Sequence, residues 1–203
     1  SLNILSNNAS TVGSYYLDVL SSDDGSNQTL KKIQNNEIEV LFLFGQENLT
    51  FRKKNEFIIY VGSHGDKGAS LADIILPAAA FTEQDGYFAN LEGKIQKSFK
   101  SSYPPGDAKE DWQIINEIAE FMNNRKLFND KEELESSMFN HLNLQKEKQS
   151  KEYEKKIVED FHAEKLTIDL KPYYFSNIIA RCSKTMIECN NSKLNFKSTG
   201  TEG

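Results

Sequence analysis

The sequence predicts an α/β fold: a partial parallel sheet with flanking helices, followed by a helical carboxyl-terminal tail. Three observations predict it. First, Val40 to Phe44, Phe57 to Val61 and Asp73 to Leu76 are short runs rich in branched and aromatic residues, stopped by Gly45, Gly62 and Pro77. Apolar runs without polar alternation read as strands buried on both faces. Second, roughly a dozen residues separate one run from the next, too many for hairpins and suited to crossovers by short helices. Third, helical spacing of apolar residues takes over beyond Pro104-Pro105-Gly106.

Before Glu37 no element is expected. Small apolar groups alternate there with Asn and Ser, and Ser21 to Asn27 is a cluster of turn formers that reads as a surface loop. After the three strands, Asp107 stands three residues before Glu110, a pair able to satisfy the open amide donors of a helix start. Trp112, Ile115, Ile118, Ala119 and Met122 then define an apolar face that should pack on the sheet, in a helix ending near Asn123. Lys131 to Leu142 reads as a helix with Leu134, Met138 and Leu142 on one side. Gln145 to Lys156 is almost wholly polar and reads as a solvated helix or connector. Beyond Pro172, Ser176 is expected to cap a last helix carrying Ile178, Ile179, Cys182, Met186 and Cys189 near one face, with a frayed tail after Asn190. The expected division is a partial α/β domain over residues 1–128 and a charged connector with a closing helix over 129–203.

Composition narrows the function. The chain has 203 residues, with 24 basic against 30 acidic side chains and a net charge of -6. Lysines interleaved with glutamates in an acidic chain make no stripe for phosphates, so nucleic acid is excluded as an expected partner. The apolar runs fall far short of the ~20 residues that cross a bilayer, so no membrane span is expected. Two cysteines, Cys182 and Cys189, fit a reducing compartment better than a secreted disulfide framework, and two thiolates cannot hold an iron–sulfur cluster alone. Seven residues apart on one predicted helix, they are expected to lie on one face with Met186 as buried, small apolar groups. The chain begins without Met and without a leader, as though cut from something longer.

Two segments have the composition of a site. Gly62-Ser63-His64-Gly65-Asp66-Lys67-Gly68 follows a strand directly, where ligands bind in open parallel sheets, but its spacing matches neither a dinucleotide fingerprint nor a phosphate loop. His64 beside Asp66 offers a base with an orienting carboxylate, or simply a loop histidine bonded to nearby backbone. Ala72 to Gln96 joins a short strand, a proline, a run of small residues and a glycine-punctuated polar loop, open to close packing or to ligand contact.

This second segment, through Ala72-Asp73, Leu76-Pro77, Glu83, Gly86 and Asn90-Leu91-Glu92-Gly93-Lys94-Ile95-Gln96, resembles the molybdopterin oxidoreductase superfamily. With Tyr60 to Ala69, Pro104 to Trp112, Tyr173-Tyr174-Phe175 and Ser183 to Met186, it is most similar to the large iron–sulfur subunits of respiratory NADH:quinone oxidoreductases, complex I. The resemblance implies the carboxyl-terminal part of a molybdopterin-oxidoreductase-like domain, whose iron–sulfur ligands would belong to an amino-terminal region absent here. It further implies a companion chain carrying that region, neighbours among the peripheral-arm subunits, and a place on the matrix side of the mitochondrial inner membrane. Where pterin-holding members are expected to carry threonines and an arginine, this chain has Tyr87, Leu91 and Lys94, and Ser63 stands where a second histidine is usual. Lysine keeps the charge without the planar fork. The resemblance therefore implies a vestigial loop with no catalytic, cofactor-binding or metal-binding residue, and its rival is the cofactor-closing portion of an active formate-dehydrogenase-like enzyme.

Overall fold

The computed structural model describes residues 9–19, 25–46, 51–149 and 173–195. Its centre is a parallel sheet of three strands, β1 (Val40–Phe44), β2 (Phe57–Gly62) and β3 (Ile74–Pro77), adjacent in that order. The register pairs Phe42 with Ile59 and Ile59 with Ile74, and Leu43 with Tyr60 and Tyr60 with Ile75. The crossover from β2 to β3 is the expected short helix, α3 (Asp66–Leu71). Between β1 and β2 the described residues 45–46 and 51–56 contain no helix, against expectation.

Alternation along each strand divides the sheet into two faces. On one, Leu43, Ile58 and Tyr60 form a buried cluster, covered by Phe51 and by Ala69, Leu71 and Ala72 of α3 and its end. On the other, Val61 and Ala78 pack on Ile114 and Ile118 of α4 (Asp111–Asn123), with Phe44, Ile59 and Leu76 alongside. Full burial of side chains such as Ile58 and Val61 is worth roughly 1.5–3 kcal/mol each. The expectation of strands buried on both faces holds only for β2. Val40, Phe42, Phe57 and Ile74 are exposed because α4 reaches only the carboxyl-terminal half of its face, and Ile75 is exposed on the opposite face, in register with Tyr60.

Two corrections concern α4. Its start is capped one turn later than expected: Glu110 is the N-cap, and its backbone N–H donates to the Gln113 side-chain oxygen at 3.1 Å. Its sheet-facing residues are Ile114 and Ile118, whereas Ile115 and Met122 are 41% and 73% exposed. The helix carries apolar residues on more than one side, so periodicity alone did not select the packed side. The end comes where expected, with Asn124 in the left-handed conformation at φ 53°.

The segment read as a polar loop after Pro77 is an antiparallel hairpin, β4 (Gly86–Ala89) and β5 (Ile95–Ser98). Short elements also precede Glu37, where none was expected: α1 (Thr11–Tyr16) lies against β4, and α2 (Gly25–Gln34) buries Ile33. The predicted loop at Ser21 to Asn27 thus gives way to helix from Gly25, and its residues 21–24 lie outside the described set. Helix α5 (Lys131–Gln149) buries Leu142, half-buries Leu134 and Met138 as expected, and sets Phe139 edge-on against Tyr87 at 5.2 Å between ring centres. The polar stretch Gln145 to Lys156 is helical to Gln149, and its remainder lies outside the described residues.

The closing helix is two helices. α6 (Ile178–Cys182) is capped by Asn177, not Ser176, through Asn177 Oδ1 accepting from Ala180 N at 2.9 Å. Ser183 is extended, and α7 (Lys184–Asn195) starts afresh. Cys182 and Cys189 therefore sit on different helices, and they are exposed and half-buried instead of buried. The tail expected to fray from Asn190 is helical to Asn195, and residues beyond it lie outside the described set.

Candidate functional site

The two segments singled out in the sequence meet at the carboxyl ends of β2 and β3. Gly62 closes β2, and Gly65 enters α3 with φ +77°, a left-handed turn that favours glycine. Around Gly62 and Gly68 the space is already filled. A Cβ on Gly62 would lie 2.2 Å from the Tyr60 hydroxyl oxygen, and one on Gly68 would lie 2.3 Å from the Gln46 carbonyl oxygen and 3.0 Å from the Tyr60 ring. The glycines let the fully buried Tyr60 ring and the end of β1 approach α3. Ser63 Oγ and His64 Nδ1 are hydrogen-bonded at 2.8 Å on the exposed side of the loop. Asp66 opens α3.

In the following segment the polar side chains bind backbone. Asp73 Oδ2 accepts from Ile58 N at 2.8 Å and lies 2.6 Å from Lys53 Nζ; those two contacts hold its carboxyl below the usual range. Ala78 and Ala79 are tied to the stretch before α4, where Lys109 N donates to Pro77 O and Ala79 N donates to Lys109 O. Glu83 Oε2 accepts from Ala80 N at 2.9 Å, closing the bend over the small residues. Asp85 Oδ1 accepts from Lys100 N at 2.7 Å, and this bond lowers its pKa, helped by the nearby lysine charges. Asn90 Oδ1 accepts from Glu92 N and Lys94 N and so shapes the hairpin turn, where Gly93 has φ +79°.

Of the three hairpin positions that depart from the pterin-holding pattern, Tyr87 is built into the fold. Its hydroxyl donates to Glu135 Oε2 of α5 at 2.9 Å, beside the Lys97–Glu135 ion pair at 2.8 Å. Leu91 is 49% exposed on the hairpin turn, and Lys94 is exposed beside it. The Glu135 carboxyl is held low first by its bond to Lys97 and then by Tyr87; the same bond raises Lys97.

Sequence reasoning missed an ionic cluster behind the hairpin. Glu110 is only 8% exposed. Its carboxylate meets Lys131 Nζ at 2.5 Å, Trp112 Nε1 at 3.1 Å and Lys100 Nζ at 3.4 Å. Burial pushes the Glu110 pKa up, but Lys131, Trp112 and Lys100 together reverse this, and the net result lies below the ordinary value. Next to it, Asp111 is raised by burial and by the Glu110 charge, even though Gln84 Nε2 donates to it at 3.2 Å. Gln84, Tyr87, Asp111, Trp112, Lys131 and His141 line a cleft of about 550 Å³ here. No local spacing signals this group, since its members come from the hairpin, the start of α4 and α5.

Through Glu110, Lys100 and Lys131 the region ties the start of α4 to the end of the hairpin and to α5. The positive head of Lys131 is neutralised by Glu110, and the remaining ionised groups of the cleft are mainly carboxylates. Among the described residues there is no cluster of three or more His, Cys, Asp or Glu side chains placed to hold a metal ion, and no helix is long and apolar enough to cross a membrane.

Comparison with known proteins agrees with this architecture. The family model described as molybdopterin oxidoreductase matches residues 1–121. The chain is 36% identical over 203 residues to a subunit of the NADH-quinone oxidoreductase of Rickettsia bellii, covering 98% of this chain and 28% of that protein. It is 34% identical over 198 residues to the "NADH-ubiquinone oxidoreductase 75 kDa subunit" of Reclinomonas americana, covering 93% of this chain and 28% of that protein. To the mitochondrial "NADH-ubiquinone oxidoreductase 78 kDa subunit" of Candida albicans it is 31% identical over 175 residues, 73% of this chain and 23% of the relative. The chain thus spans about a quarter of the length of these relatives. With the family model covering more than half its residues, and a parallel sheet with helices on both faces beneath the motif, the chain belongs to the molybdopterin oxidoreductase family.

Proposed function

We propose that the chain is a non-catalytic structural part of the peripheral arm of respiratory complex I, equivalent to the end of its large iron–sulfur subunit and made as a separate polypeptide. In this reading it works on the matrix side of the mitochondrial inner membrane. Residues 1–128 complete the α/β domain whose first half a companion chain carrying the amino-terminal iron–sulfur part supplies, while residues 129–203 supply a helical connector and close the subunit. One observation carries the proposal: similarity over almost the whole chain, at 36% and 34% identity, to subunits of NADH-quinone and NADH-ubiquinone oxidoreductases.

The geometry supports a passive role for the motif. A pterin cofactor with its phosphate needs uncommitted donors and room for backbone to approach it. The residues present do not fit such a group. Asp73, Glu83, Asp85 and Asn90 are acceptors already bonded to backbone amides, Tyr87 is bonded to Glu135, and the gap beside Gly62 and Gly68 is filled by Tyr60. No reaction step is therefore assigned to this chain.

The test is to tag the chain in its source cells, purify the native assembly, and measure its mass and its molybdenum content. We expect a particle far above 23.1 kDa that contains complex I subunits and no stoichiometric molybdenum. Recovery near its own mass removes the structural reading. Stoichiometric molybdenum replaces it with the formate-dehydrogenase-like one.

A further inference from the structure

We propose that the cleft between the hairpin, the start of α4 and α5 is a socket for one basic side chain, lysine or arginine, of another chain in the assembly. This deepens the preceding proposal and rests on it. Four carboxylates meet three lysines around the cleft: Glu135 faces Lys97 at 2.8 Å, Glu110 faces Lys131 at 2.5 Å and Lys100 at 3.4 Å, and Asp85 lies 3.8 Å from Lys131. The fourth carboxylate, Asp111, has no ion-pair partner among the described residues. The group is therefore one positive charge short.

The unmatched carboxylate is fixed in place and lines the cleft. Asp111 Oδ2 accepts from Gln84 Nε2 at 3.2 Å, and Asp111 N donates back to Gln84 Oε1 at 3.3 Å. Gln84 thus orients the residue and brings no charge. Burial and the neighbouring Glu110 charge raise the Asp111 pKa, and no basic group offsets them. A cation entering the cleft would reverse that cost with a charge-assisted hydrogen bond.

The walls suit a long basic side chain better than a bare ion. Trp112, Leu134 and Met138 are half-buried there, in a space of about 550 Å³. Lysine and arginine lay their stems along apolar surface while the charged head reaches a polar partner. An indole ring is also the best aromatic partner for a cation. A divalent metal ion needs several free oxygens, but Asp85 already accepts from Lys100 N and Glu135 from the Tyr87 hydroxyl. An anion meets the wrong sign. The net charge of -6 on the whole chain also favours a partner with a basic surface.

The test uses the purified native assembly. Ser137 lines the cleft and is exposed, so p-benzoylphenylalanine in its place reports what enters. On irradiation the crosslink should fall on another chain, within about one helical turn of a lysine or arginine. Asp111→Asn should lower retention of the chain in the assembly at least about tenfold under a salt wash. Replacing the identified basic residue with Met should do the same, and the two changes together should add little. A crosslink to this chain itself, or to a partner segment without a basic residue, overturns the proposal. So does unchanged retention of Asp111→Asn.

Two controls separate docking from folding. His141 also lines the cleft, and His141→Gln should leave retention unchanged; a loss equal to that of Asp111→Asn assigns the cation to this chain's own histidine and overturns the socket. In the chain released from the assembly, Asp111→Asn should melt at or above the parent at pH 8, because an uncompensated charge has been removed. Melting below the parent makes Asp111 a residue of the fold and overturns the assignment. Recovery of the tagged chain near its own mass overturns this proposal and the preceding one together, whereas an empty cleft inside an intact assembly removes this one alone.

Discussion

Replacing Gly68 with alanine asks whether the glycine-rich loop is a packing joint or a cradle for a ligand. The new Cβ would stand 2.3 Å from the Gln46 carbonyl oxygen and 3.0–3.1 Å from the Tyr60 ring. The carbonyl belongs to backbone and cannot rotate aside, so α3 must move off the end of β1 by something near an ångström. Overpacking of this kind costs about 1–3 kcal/mol. In a chain of this size each kcal/mol lowers the melting temperature by about 2–4 °C, so a fall of several degrees is expected. Gly86→Ala is the matched control, because nothing lies within 4 Å of its Cβ and its φ is not left-handed. Removing glycine's extra freedom there should stabilise by about 0.4–1 kcal/mol. Both are read by pulse proteolysis of this chain across a temperature ramp in the purified assembly. If Gly68→Ala melts at or above the parent, the loop has slack and the packing account of its glycines fails.

Three further outcomes follow from the ionic and aromatic contacts. Lys131→Met strands the buried Glu110 carboxylate. Lys100 remains at 3.4 Å and Lys131 is itself 26% exposed, so the loss should be about 1–3 kcal/mol, less than for a fully buried pair. Glu110→Gln leaves a lysine that can reach water, and it should cost less than Lys131→Met; the reverse order in urea melts refutes this brace. Tyr87→Phe keeps the ring on Phe139 but loses the bond to Glu135, for about 0.5–1.5 kcal/mol, and exchange should quicken first in α5. With acid, Asp73, Asp85, Glu110 and Glu135, all with lowered folded pKa, contribute stability present above their unfolded values near about 4 and lost as pH falls through the folded ones. Asp111 has the opposite sign: its raised pKa makes its ionised form a cost at neutral pH, relieved as pH falls through that value. Asp111→Asn should therefore gain stability at pH 8 and not at pH 4, and an equal effect at both contradicts the assignment.

The polypeptide sequence by itself determined the three strands, their parallel sense and the helix between β2 and β3. Unbroken apolar runs stopped by glycine or proline, and spaced too widely for hairpins, have few other solutions. It also determined the ends of α4 to within a turn, the start of α5 and the family, through a long motif at fixed spacing, whereas α5 runs on to Gln149, past the expected end at Leu142. Tertiary structure alone decided which side of α4 faces the sheet, because Ile114, Ile115, Ile118 and Met122 satisfy helical periodicity on more than one side and only the position of Val61 and Ala78 chooses Ile114 and Ile118. It decided that Ser183 breaks the closing helix and parts the two cysteines, a break that no glycine or proline announces. The fate of the motif's polar residues was decided there too. Asp73 with Ile58 N, and Glu110 with Lys131, are separated by 15 and 21 residues, and no local spacing rule reaches across such distances. Residue types predict which groups can bond or ionise, but whether each is spent on its own backbone or left for a ligand depends on what the fold brings beside it.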